Sequence, residues 1–131
     1  MKLPTGLEVL EDQEGSGCSA RVGDTVIYNV RIFLNRGDEV PINERQAELA
    51  VLDDRIRHDG DRVLIDHVTR LGSREAMAGT EKALVGMKPG GYRKVRVSPH
   101  LAYRDKGILG LIPANAVLIV EIWLRDVTVS A

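Results

Sequence analysis

Glycine and proline punctuate the C-terminal half of this chain so regularly that few folds can accommodate it. Leu84-Val85-Gly86-Met87-Lys88-Pro89-Gly90-Gly91 reads as a helix end running into a tight turn. Tyr92 to Val97 then alternates, with Val95 and Val97 on one face and Lys94 and Arg96 on the other, as a half-buried strand requires. Ser98-Pro99 breaks that strand, Leu101-Ala102-Tyr103 follows, and Ile112-Pro113-Ala114-Asn115-Ala116 leads into an apolar strand from Val117 to Val127. There Leu118, Val120, Ile122 and Leu124 face one way, and Ile119, Glu121 and Trp123 the other. Proline holds φ near one value and glycine permits positive φ, so these residues set corners rather than chemistry.

The N-terminal half begins with a short strand, Leu7 to Leu10, ended by a polar, Gly-containing stretch that runs to Ala20. From Thr25 to Leu34, Val26, Tyr28, Val30, Ile32 and Leu34 share one face of a long strand, and Thr25, Ile27, Asn29, Arg31 and Phe33 share the other. Asn35-Arg36-Gly37-Asp38 is a turn, and Glu39-Val40-Pro41-Ile42 starts a return strand that Pro41 confines to an edge or bulge. Residues 43 to 62 admit two readings. Glu44 to Leu52 could be helical, or Val51 to Ile56 could pair across His58-Asp59-Gly60-Asp61 with Arg62 to Ile65; the hairpin is preferred, with much of it solvated. Val63 to Val68 is a strand that enters Leu71-Gly72. Ser73 or Arg74 to Val85 is a short helix, with Thr80, Leu84 and Met87 at helical spacing and Gly79 weakening its first turn. Antiparallel strands with one short helix packed on a sheet face make an α+β domain.

The chain has 131 residues, 44% of them hydrophobic and 28% charged, enough for one domain over 1-131 with a core that needs no staples. A net charge of -1 argues against a nucleic-acid surface, which wants clustered Lys and Arg. No stretch is apolar enough for a signal peptide or a membrane span, so no membrane partner and a cytoplasmic location are expected. Cys18 has no mate for a disulfide. His58, Asp59, Asp61, Asp66 and His67 are the one metal-like cluster, but their spacing offers no closed ligand set, so no metal and no cofactor are expected. The sequence leaves the oligomeric state open.

The order of Gly-Met-x-x-Gly turn, strand, Ser-Pro-x-x-Ala-Tyr run, Ile-Pro-x-x-Ala run and last strand resembles the FKBP-type peptidyl-prolyl cis-trans isomerases. The likeness covers nearly the whole chain, is densest from Leu71 to Leu124, and lapses in an extended segment over residues 41-66. It implies a twisted antiparallel β-sheet wrapped around one short α-helix, with a shallow apolar pocket for a prolyl residue and an enlarged flap in the divergent segment. The implied reaction is rotation about X-Pro bonds in proline-containing peptides or unfolded protein chains. That barrier is about 18–20 kcal/mol, and it falls when a dry pocket and a few donors favour the twisted amide over the planar one.

The resemblance also implies site residues. Tyr103 matches the tyrosine whose hydroxyl bonds the bound chain, and Met77 matches the position whose backbone N–H holds a substrate carbonyl. Ala76 and Ile108 fall at pocket walls. Val30 stands in place of a tyrosine, Val40 of a phenylalanine, Pro41 of the aspartate beside it, His67 of a wall phenylalanine, Thr80 of a tryptophan floor, and Val120 of a phenylalanine on the last strand. Each lost ring removes apolar surface that would grip proline, so reduced or altered activity is expected. Tyr28, two residues before Val30 on the same face, offers a displaced aromatic ring or plain core packing. Two further readings follow from the missing rings and the extended segment: a catalytically silent peptide-binding or chaperone-like module, and an interaction domain with a closed pocket.

Overall fold

The alternating apolar residues of the two long central strands are what bury the middle of the fold. A computed structural model of the chain describes residues 5–41 and 44–130. β1 (Leu7–Gln13), β2 (Thr25–Leu34), β3 (Glu39–Val40), β6 (His67–Arg70), β7 (Tyr92–Val97) and β8 (Leu118–Thr128) form one antiparallel sheet in the order β1-β7-β8-β2-β3, with β6 also paired to β2. Between β3 and β6 lie α1 (Glu44–Leu52) and a hairpin of β4 (Ile56–Asp59) and β5 (Arg62–Ile65). α2 (Ala78–Leu84) packs on one face of the sheet, and a 3-10 turn covers Pro99–Leu101.

The core gathers the faces that alternation picked out. Val26 from β2, Leu84 from α2, Val95 and Val97 from β7, and Leu118, Val120, Ile122 and Leu124 from β8 are all buried together. At about 25 cal/mol per Å² of apolar surface, such side chains supply most of the driving force for folding. α2 ends where Gly86 takes φ 88, and the Gly86 N–H then donates to the Ala20 carbonyl while the Ala20 N–H donates to that of Met87. The Gly-rich turn thus fastens the helix end to the loop before β2.

In the middle segment both sequence readings are present, each in part. α1 takes Glu44–Leu52, so Val51 and Leu52 are helical rather than strand. The hairpin is shorter and later than expected, pairing Ile56 with Ile65 and Asp59 with Arg62. Its two-residue turn has Gly60 at φ 61, a positive angle that tight hairpins demand. The strand expected from Val63 to Val68 is interrupted at Asp66, where β5 ends and β6 begins. α2 starts later than Ser73 or Arg74: Arg74 has φ 67, outside a right-handed helix, and the Glu81 carboxylate accepts the Gly72 and Arg74 N–H groups.

β2 is paired along its whole length with β8, but its other edge is shared. β6 covers it from Thr25 to Tyr28 and β3 at Ile32 and Phe33, so residues 29–31 have no strand beside them on that edge. That break in the sheet edge is where the β4–β5 hairpin lies and where a cavity opens.

Candidate functional site

The cavity occupies about 530 Å3 between the broken edge of β2, the N-terminal end of α2, the hairpin and the loop after Tyr103. Of the residues expected at a site, Tyr103, Met77, Val30, Val40, His67, Ala76, Thr80 and Ile108 all line it, as does Pro41. Val120 does not. It is wholly buried, paired with Ile32 on one side and Val95 on the other, because the even positions of β8 point into the core beneath α2 rather than toward the open edge of β2. Val120 is therefore corrected to a core residue.

Each lining group has a local reason for its place. Met77 is the residue before α2; among the described residues its N–H has no acceptor, while its carbonyl accepts from Glu81 N–H to start the helix. Thr80 is 4% exposed, in the first turn of α2, and among the described residues its hydroxyl has one hydrogen-bond partner, the Met77 sulfur at 4.0 Å. Tyr103 is half-buried at the head of a loop closed by the Gly107 N–H to Tyr103 carbonyl bond. Burial pushes its phenol pKa up, so the hydroxyl remains a donor at neutral pH, and no described residue bonds it. His67 opens β6 beside Tyr28, with ring centroids 5.5 Å apart. Burial and the nearby Arg55 charge hold its pKa below the ordinary value, against a smaller opposing pull from Asp66. The imidazole is thus neutral and serves as an aromatic wall.

The chemistry available here is non-covalent. The lining mixes apolar side chains such as Val30, Val40, Ala76 and Ile108 with the charged Arg31, Glu39, Asp61, Arg62 and Glu75; the Met77 N–H and the Tyr103 hydroxyl are its uncharged donors without a partner among the described residues, among which no cluster of His, Cys, Asp and Glu could hold a metal ion. The family model for the FKBP-type peptidyl-prolyl cis-trans isomerase matches residues 17–125. The chain belongs to this family. FK506-binding protein 1A of Neurospora crassa is 30% identical over 117 residues, covering 88% of this chain and 83% of that protein. FK506-binding protein 4 of Chaetomium thermophilum is 28% identical over 127 residues, which are 97% of this chain but 22% of that protein. Among solved structures, FkpA from Escherichia coli matches with a TM-score of 0.65 and 26% identity over 95% of this chain and 48% of its own.

In this FKBP-type domain the flap hairpin also takes part in the pocket. The flap hairpin adds Asp61, Arg62, Val63, Leu64 and Ile65 to the lining, none of which sequence reasoning had assigned to the site. Several contacts fix the hairpin there. The Arg57 guanidinium grips Asp66 with two bonds, at 2.7 and 3.0 Å, and Arg62 lies over the Trp123 ring with its guanidinium carbon 4.9 Å from the centroid. Asp59 and Asp66, read from sequence as solvated charges, are instead held by arginines: Arg125 donates to Asp59 at 3.1 Å. The available sequence signal was Asn29, a polar residue inside an apolar strand, which is fully buried and binds this network.

Proposed function

We propose that this cavity binds a prolyl residue of an unfolded or flexible chain and accelerates rotation of the X-Pro amide, at a rate altered by its reshaped walls. The observation that carries the reading is the meeting, in one cavity, of a wall of apolar side chains (Val30, Val40, Ala76, Ile108) with two donors that have no partners among the described residues, the Met77 N–H and the Tyr103 hydroxyl. A planar X-Pro amide loses resonance as it twists, and donors aimed at the twisted form stabilise it more than the ground state. A 10⁴-fold acceleration needs about 5.4 kcal/mol of such preference. Val30, Val40 and Thr80 carry no rings, so less apolar surface grips proline than in a pocket walled by aromatics. This supports a slower enzyme that still follows the family's reaction.

The test is cis/trans exchange of a panel of short X-Pro peptides, read by NMR exchange spectroscopy with and without the protein. Accelerated exchange is expected, and Tyr103→Phe should lower kcat/KM about three- to tenfold with the fold unchanged. Exchange at the spontaneous rate with verified folded protein would overturn the reading. Binding of the same peptides without acceleration would point instead to a peptide-holding module.

A further inference from the structure

A prolyl ring is held best when one of its faces lies on an aromatic surface that also excludes water. Among the described residues, three that line the cavity carry aromatic rings: Tyr28, His67 and Tyr103. Of these Tyr28 is the deepest, at 6% exposed. It projects from β2 on the same face as Val26 and Val30, and its ring meets His67 with an interplanar angle of 31°. From α2 and the residue before it the cavity receives Thr80 and Met77, neither of which offers a flat surface. The helix thus brings a small residue to the cavity where the strand brings a large ring. Val30, next along that face, carries no ring that would cover Tyr28.

We propose that Tyr28 is the aromatic platform on which the prolyl ring of the substrate rests, with the His67 ring as the adjoining wall. This assignment rests on the isomerase reading of the cavity. It makes β2 rather than α2 the source of the floor, and it makes the Tyr28–His67 corner the determinant of how deeply proline enters. The platform is uncharged throughout the neutral range: burial, and to a smaller degree the charges of Glu81, Tyr103 and Glu75, raise the Tyr28 phenol to about 12. His67 is kept neutral chiefly by burial, as described above, so neither ring of the corner carries a charge.

The experiment is an NMR titration of the protein with a Leu-Pro tetrapeptide, following the prolyl ring protons. An aromatic face under proline shifts those protons upfield. The wild type should show that shift together with intermolecular NOEs from the Tyr28 ring protons. Tyr28→Phe should keep the shift and the Kd within about twofold, whereas Tyr28→Leu should abolish the shift and weaken Kd about tenfold. The double variant Tyr28→Val with Thr80→Trp, which returns the ring to α2, should restore the shift that Tyr28→Val alone loses. A folded Tyr28→Leu protein with unchanged shift and Kd would overturn the proposal, as would a wild-type complex with no Tyr28 NOE to proline, a readout independent of whether variants fold. Peptide bound on Tyr28 without accelerated exchange would remove the isomerase reading and leave the platform standing. No binding at all would remove both.

Discussion

Asn29 on β2 donates from Nδ2 to an Asp66 carboxylate oxygen at 2.7 Å, and this contact joins the sheet to the flap at the point where the sheet edge is broken. The amide is fully satisfied: Nδ2 also donates to the Ile65 carbonyl at 2.7 Å, and Oδ1 accepts from Arg125 on β8 at 2.5 Å. A buried amide with all its partners is a directional fastener, because any displacement of the hairpin leaves polar groups unpaired in the interior. The wall of the cavity formed by Arg62 to Ile65 is held by this cluster rather than by strand pairing with β2.

Asn29→Ala should therefore destabilise the protein by about 1–3 kcal/mol, the range for stranding buried polar partners. Beyond that global loss, amide hydrogen exchange in β4 and β5 should rise more than in β7 or β8. Uniform exchange across both regions in the variant would show that the hairpin is held by something else.

Acid should weaken the fold through His67. Its folded pKa lies below the ordinary 6.5, so as pH falls the unfolded chain takes up the proton first. The stability linked to His67 is complete above 6.5 and is lost as pH drops from there toward the folded value. Urea unfolding at pH 7.5 and pH 5.5 should show a smaller loss for His67→Phe than for the wild type. An identical loss in both proteins would exclude His67 as the group responsible.

Gly79→Ala should destabilise by about 1–3 kcal/mol even though alanine is the better helix former by roughly 1 kcal/mol. A Cβ at Gly79 would lie 2.5 Å from Val97 Cγ1 and 3.1 Å from the Leu101 carbonyl oxygen, so α2 would have to back away from β7. Chemical denaturation measures the outcome, and a stabilised variant would show that the contact relaxes freely.

Gly79 also shows where sequence reasoning stops. Read along the chain it is a weak point in the first turn of a helix; in the fold it is the residue that lets helix and strand approach. The same division runs through the site. Tyr103 closes the Ser-Pro-x-x-Ala-Tyr run, Met77, Ala76 and Ile108 follow from the family resemblance around it, and all of them line the cavity. Val120 was read from the same resemblance and lies in the core, since only the curvature of the sheet determines which residues of one strand face reach an opening at its edge. Asp61 to Ile65 were missed because their part in the pocket comes from partners distant in the chain: Arg62 on Trp123, and Asn29 on Ile65 and Asp66.

By itself, the sequence determined the strands of the main sheet, the short helix, the glycine and proline corners, and with them the family, because alternation, helical spacing and φ preference act between residues close in the chain. The tertiary structure alone decided what lies in the floor of the cavity and what forms its outer wall. Tyr28 and Thr80 line one cavity, and the hairpin lies over a gap in β2. Both depend on side-chain volume and hydrogen-bond partners brought together from separate strands and helices, which no pattern along a single segment records.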